Sequence, residues 1–185
     1  MQRRLFISIN LPDEIKSRIK KEIDKLPGLA GIKFANPETW HITLIFLGDQ
    51  EDSAIHGIIG AMSAVSEDFE APPVTFSDIG YGPSERTPRM IWLNGTLEAS
   101  KLLSPLRDRL SDELANKGVN FMQERKMFKV HVTLARLKNN QEELPELNYA
   151  LKNPLNFIPE SFDLMESFLS SSGAEHAVLQ KIYFN

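Results

Sequence analysis

Cysteine is absent from the 185 residues. That excludes disulfide frameworks, cysteine-ligated metals and thiol nucleophiles. No apolar run approaches the roughly 18 residues of a membrane-spanning helix. The apolar stretch near the start breaks at Asn10, Pro12 and Asp13, before the core of a signal peptide would be complete. A cytoplasmic location without membrane association is therefore expected. An excess of positive charge is missing too: 21 Lys and Arg stand against 25 Asp and Glu, a net charge of −4. A sequence-independent nucleic-acid binder normally carries a strong basic excess, so any nucleic acid must be held locally. Arg125, Lys126 and Lys129 form one local basic patch. No low-complexity linker divides the chain, and its length suits one domain spanning residues 1–185.

The pattern mixes strands and helices without regular alternation. Residues 4–9 read as a buried strand. Pro12 stands at a helix start, and Ile15, Ile19, Ile23 and Leu26 repeat at helical spacing until Pro27-Gly28. Residues 40–47 read as a strand closed by Gly48-Asp49. Ile55, Ile58, Ile59, Met62 and Val65 form a second helical stripe. Strands are expected at 73–79 and 89–94, with a loop at 80–88. Leu102, Leu103, Leu106, Leu110 and Leu114 mark a third helix stopped by Gly118. Pro105 sets its firm start near Ser104 or kinks it. Residues 130–137 read as a strand, 138–148 as a polar loop, 157–168 as containing one strand, and 177–184 as the last. An α+β fold with antiparallel sheets follows.

An internal repeat carries the chemistry. Residues 40–48 read Trp-His-Ile-Thr-Leu-Ile-Phe-Leu-Gly, and residues 130–138 read Val-His-Val-Thr-Leu-Ala-Arg-Leu-Lys. Both contain His-x-Thr-Leu. In a strand, alternate residues share a face. His41 and Thr43 therefore project together, opposite Ile42, Leu44 and Phe46. His131 and Thr133 project together, opposite Val132 and Leu134. Strict alternation points Arg136 away from the histidines unless the strand twists or bulges. A duplicated fold brings both strands to a shared cleft. One imidazole can then act as base and the other as acid, while the threonine hydroxyls donate to an anionic oxygen. Acid, base and hydroxyl donors point to a phosphodiester, a cyclic one fitting best because ring strain assists opening.

Four segments extend the pattern: Arg4-Leu-Phe-Ile-Ser-Ile9, Arg89-Met-Ile-Trp92, Phe128-Lys-Val-His-Val-Thr-Leu-Ala-Arg136 and Ser167-Phe-Leu169 with Gly173 following. With the first motif, they make the chain resemble the two-histidine (2H) phosphoesterase superfamily, in its RNA 2′,3′-cyclic phosphodiesterase branch, also called 2′-5′ RNA ligase. Two departures stand out. Val130 replaces the proline common before the second histidine, and His176 lies where an aromatic is usual. The resemblance implies a bilobal α+β fold: two antiparallel sheets around a central cleft, related by a pseudo-two-fold repeat, with helices outside. It implies opening of a 2′,3′-cyclic phosphate to a 2′-phosphate, with 2′-5′ joining of RNA ends in reverse. It makes His41 the proton donor and His131 the acceptor, a choice the residues alone leave open. Thr43 and Thr133 bind the phosphate. No metal and no cofactor are called for, and the chain is expected to be a monomer acting on RNA ends or small cyclic nucleotides.

Other residues have plainer readings. His56 reads as a surface histidine and His176 as a packing or loop residue. No His-Glu-x-x-His or carboxylate cluster supports a zinc site. Trp40 belongs to the core, while Tyr81 is the better base-stacking candidate. Arg86 and Arg89 border the 80–88 loop within reach of an RNA backbone. Two alternatives remain beside the RNA-end enzyme: a non-catalytic nucleotide-binding module, and a 2H hydrolase of another small cyclic phosphate.

Overall fold

The computed structural model describes residues 1–29, 31–84, 86–123, 127–137, 144–170 and 173–185. The described strands are β1 (Gln2–Asn10), β2 (His41–Glu51), β3 (Val74–Gly82), β4 (Met90–Gly95), β5 (His131–Arg136), β6 (Asn148–Phe157), β7 (Ser161–Ser170) and β8 (Gly173–Tyr183). The helices are α1 (Asp13–Ile23), α2 (Ile55–Ser66) and α3 (Leu97–Asn116). None of them is long and apolar enough to cross a membrane.

The strands form one eight-stranded antiparallel sheet in the order β6-β3-β4-β5-β2-β1-β7-β8. The expected pair of separate sheets is thus corrected to one continuous sheet. Its continuity rests on the centre, where β2 and β5 are in register at one pair, Ile42 with Val132. Both side chains are fully buried. The two strands nearest the seam on each side share a connectivity. The motif strand comes first, then the strand that precedes it in sequence across a helix: β1–α1–β2 on one side, β4–α3–β5 on the other.

Helices α2 and α3 pack together, α3 against β2 and β3 and α2 against β8. Ile58, Met62 and Val65 of α2 and Leu103, Leu106, Leu110 and Leu114 of α3 are completely buried. Thr96 caps α3, its hydroxyl accepting from the Ala99 amide at 3.1 Å. The helix therefore starts at Leu97, ahead of the expected Ser104, and runs through Pro105. Proline removes the amide that would have bonded to the Lys101 carbonyl. Lys101 and Pro105 are both exposed, so water can satisfy that carbonyl. At the far end Gly118 adopts φ +73°. The Val119 amide then reaches back to the Leu114 carbonyl at 3.0 Å, a Schellman closure.

Strand β6 is not expected from the sequence, where 148–156 carries no strand signal. It is an edge strand, the position where Pro154 is tolerated. Its ladder to β3 jumps from Leu155 opposite Phe76 to Ala150 opposite Asp78, leaving residues 151–154 bulged out. Phe157 closes β6, so the single strand expected over 157–168 begins only at Ser161. Of the polar loop expected over 138–148, residues 138–143 lie outside the described residues.

Each motif strand carries a β-bulge at the same place. On β2, Ile7 faces Ile45 and Ser8 faces Thr43, leaving Leu44 as the extra residue. On β5, Ile91 faces Ala135 and Trp92 faces Thr133, leaving Leu134 extra. The burial pattern shows the consequence: two consecutive buried residues, Leu44-Ile45 and Leu134-Ala135, follow each threonine. Alternation resumes one residue late.

The seam between β2 and β5 is narrow, so its two side chains should act together. Ile42→Ala and Val132→Ala should each lower unfolding free energy by about 1–4 kcal/mol. Urea denaturation of the double variant should depart from additivity by about 0.5–3 kcal/mol, as expected of residues in contact.

Candidate active site

The register at Ile42 and Val132 decides what meets on the opposite face. Extended by one residue each way, it sets His41 across from Thr133 and Thr43 across from His131. The two histidines are then diagonal neighbours, with Cβ atoms somewhat under about 7–8 Å apart. All four side chains are half-buried.

Each histidine is tethered in the same way. His41 Nδ1 lies 2.7 Å from the Thr39 carbonyl, and His131 Nδ1 lies 2.8 Å from the Lys129 carbonyl. A carbonyl only accepts, so each Nδ1 carries the hydrogen and each Nε2 is left for other partners. At His41 that partner is Thr43, whose hydroxyl donates to Nε2 at 3.1 Å. The tether is a local device of the strand entry, the histidine ring folding back on the carbonyl two residues before it.

The ring environments differ. His41 lies 4.8 Å from the Phe6 ring, tilted by 33°. The His176 ring meets His41 edge-on at 5.2 Å and Phe6 edge-on at 5.0 Å. His131 instead stacks on Trp92 at 3.9 Å with 27° between planes. Burial pushes the His41 imidazole down to about 4, against the pull of its Thr39 hydrogen bond, with the charges of His176, His131 and Arg136 adding to the fall. His176 is lowered too, by burial and by Arg136, opposed by the Glu175 backbone.

Two expectations about side-chain direction are overturned by the bulges. Strict alternation sets Phe46 opposite His41, in apolar packing. It is instead 61% exposed and lies 6.4 Å from Phe6, on the histidine face. Arg136 occupies the equivalent place after the second bulge. It is exposed, and its charge is felt by both His41 and His176. The strand bulges, which is the condition under which Arg136 joins the site. His176, expected to be a packing or loop residue, is part of the same cluster. Its one sequence signal is that it stands where an aromatic is usual; the pairing of Ser167 with His176 across β7 and β8 shows where it lies.

Other candidates fall elsewhere. Trp40 is 2% exposed, in the core. Tyr81 is half-buried: its hydroxyl donates to the Pro145 carbonyl at 2.8 Å, part of its ring packs against the core, and it lines the cavity beside Trp92. His56 is exposed on α2. Arg125 and Lys126 lie outside the described residues, while Lys129 is exposed beside His131. A cavity of about 590 Å³ opens next to Trp92, lined also by Asp78, Arg86, Asn94 and Lys129; neither histidine lines it. Among the described residues, no three His, Cys, Asp or Glu side chains gather as a metal site would need.

A family model for LigT-like phosphoesterases matches residues 9–92. Relatives extend the likeness over the whole chain. The RNA 2′,3′-cyclic phosphodiesterase of Archaeoglobus fulgidus is 29% identical over 172 residues, covering 92% of this chain and 94% of the relative. That of Thermus thermophilus is 29% identical over 180 residues, covering 96% and 88%. Among solved structures, TT0787 of Thermus thermophilus superposes with a TM-score of 0.76 at 28% identity, covering 98% of this chain and 97% of its own. E. coli LigT complexed with 3′-AMP shares the fold, with a TM-score of 0.74 at 23% identity and coverage of 100% and 99%. The chain is thus similar to LigT-like phosphoesterases over residues 9–92 and to RNA 2′,3′-cyclic phosphodiesterases over most of its length.

The depressed His41 value has a measurable consequence. The folded protein keeps His41 neutral down to about 4, whereas the unfolded chain protonates it near 6.5. This contribution to stability is complete above the unfolded value and is lost as pH falls through the folded one. Its full size is about 3 kcal/mol. Urea denaturation between pH 7 and 4 should therefore show a shallower loss of stability in His41→Gln than in the wild type.

Proposed function

We propose that the protein hydrolyses 2′,3′-cyclic phosphodiester ends of RNA to 2′-phosphomonoesters by histidine acid-base catalysis. The observation that carries this reading is the repeated tether. Two histidines, each held through Nδ1 by a carbonyl two residues back, present Nε2 on one face beside two threonines. The relatives, RNA 2′,3′-cyclic phosphodiesterases, supply the substrate class.

The resemblance sets the roles. His131 takes a proton from water as its oxygen attacks phosphorus. His41 delivers a proton to the leaving 3′ oxygen as the ring P–O bond breaks. Thr43 and Thr133 donate hydrogen bonds to the non-bridging oxygens, and the Arg136 guanidinium supplies positive charge at the same place. His41 is neutral in the unliganded protein. A phosphodiester anion beside it opposes the cost of burial and the repulsion from Arg136 and His176, so substrate entry itself favours the protonated donor. With the 5′ hydroxyl of a second RNA in place of water as the nucleophile, the same groups open the ring to a 2′-5′ linkage.

We read the mirrored halves as copies of one unit meeting at the site. The matching order from the seam, the matching bulges and the matching tethers support that reading. Metal independence is supported by the donor set, because the two motifs supply imidazoles and hydroxyls rather than the carboxylates of a metal cluster. We place the protein in the cytoplasm as a monomer working on RNA ends.

Turnover of a 2′,3′-cyclic-ended RNA tests this directly. His41→Ala and His131→Ala should each lose about 10²-fold or more in kcat, as expected for a positioned acid or base. Both should still bind the product; a pure binding module would lose nothing but affinity. Thr43→Ala and Thr133→Ala should be milder. In EDTA the wild type should keep full activity. Activity lost in chelator and restored by zinc or manganese would make the histidines ligands.

A further inference from the structure

Trp92 projects from β4, where its ladder partner is Thr133, two residues from His131. Its indole covers the His131 ring at stacking distance. The same indole lies against the backbone of Gly82 on β3. A Cβ built at Gly82 would fall 2.2–2.5 Å from three indole carbons, so any side chain there would drive the ring away. The buried indole Nε1 has no hydrogen-bond partner among the described residues. Ring contacts, not a polar tether, hold this side chain in place. His131 is thus fixed twice, at its edge by the Lys129 carbonyl and at its face by the indole. The aromatic neighbours of His41 are of another kind, a tilted phenyl and an edge-on imidazole.

We propose that Trp92 is a positioning residue for His131, and that its π face stabilises the imidazolium formed when His131 accepts the proton of the attacking water, with Gly82 as the gap that admits the indole. The proposal rests on His131 being the proton acceptor. In that step the water O–H bond breaks as the O–P bond forms, and the proton ends on His131 Nε2. The positive charge spreads over the ring that lies on the indole, and Trp gives the strongest cation–π contact of the aromatic side chains. The charged and titratable groups on this face are His41 from β2, Arg136 at the end of β5, Lys129 at its entry, and Asp78 on β3, whose carboxylate accepts from Asn94, the β4 residue opposite His131, at 2.6 Å. Arg136 and Lys129 are cations that oppose a positive ring, the Asp78 carboxylate lies one strand further across on Asn94, and the indole is in face contact with the ring itself. The Trp92 edge also walls the cavity beside the site, so the platform is held from below while its rim stays open to a ligand.

Three variants test this, Trp92→Leu, Trp92→Phe and Gly82→Ala, each read by kinetics and by NMR titration of the His131 ring. Trp92→Leu should lower kcat about 10-fold while KM changes less than about threefold, and should move the His131 midpoint down by about 0.5–1 pH unit. Trp92→Phe should keep part of both. Gly82→Ala keeps the indole but displaces it, and should behave like Trp92→Leu even if that variant folds poorly. In the wild type, indole emission should fall as His131 is protonated, with the NMR midpoint, and Trp92→Phe should lose that signal. A His131 midpoint unmoved in both Trp92→Leu and Gly82→Ala, with kcat within twofold of wild type, overturns the proposal. Near-normal activity of His131→Ala overturns the acceptor reading instead, and the NMR midpoints then still decide whether the indole stabilises the imidazolium.

Discussion

Everything at the site depends on one contact, the pairing of Ile42 with Val132 at the middle of the sheet. Both side chains are fully buried on the helix-covered face. Their burial fixes the faces of four other residues. In a ladder of period two, sinking position 42 into the core forces 41 and 43 to the other side, and sinking 132 does the same to 131 and 133. A slip of one residue in either strand would send a histidine and a threonine into the apolar layer. The face that carries the two histidines and two threonines is therefore held in register by hydrophobic burial.

The second determinant is the bulge that follows each threonine. A regular strand would have buried Phe46 and Arg136 beside the core leucines. The extra residue in each strand turns them outward. The displaced backbone does not go unsatisfied: the Leu134 carbonyl accepts from the Ala35 amide at 2.7 Å, and Phe34 bridges to Ala135. The segment before β2 thus stabilises the distortion of β5, tying the two halves together away from the seam. The two matching bulges then carry different side chains: an exposed phenyl on β2 and an exposed guanidinium on β5.

The motif is legible because His-x-Thr in a strand states its own geometry: alternation alone sets the imidazole and hydroxyl on one face. The same rule misleads at Phe46 and Arg136, because a bulge leaves no mark in Leu-Ile-Phe or Leu-Ala-Arg. It arises from what the neighbouring strands impose. Helix α3 is legible from its leucines but not at its start, since the Thr96 cap outweighs the signal of Pro105. Edge strand β6 is hidden by its proline and its looped-out residues. His176 is hard to read as a site residue for a topological reason. β8 hangs on the sheet by its ladder to β7, and nothing near residue 176 in sequence reveals that it reaches His41.

The net charge of the whole chain is negative, while the charges nearest the histidines include exposed cations. Arg3, Lys16, Lys25 and Arg109 are each matched to carboxylates in ion pairs. Arg136 and Lys129, both exposed, stand on either side of the histidines. With His41 kept neutral by burial, the unliganded site avoids stacking several positive charges in a half-buried space. In the proposed reaction a monoanionic phosphodiester meets an exposed guanidinium and two hydroxyls, and its own charge offsets the cost of protonating His41. Grip on the substrate is concentrated at the phosphate, where Coulomb attraction is least screened. Affinity should accordingly weaken only shallowly with salt, by about one log unit per log unit of salt for each backbone phosphate neutralised.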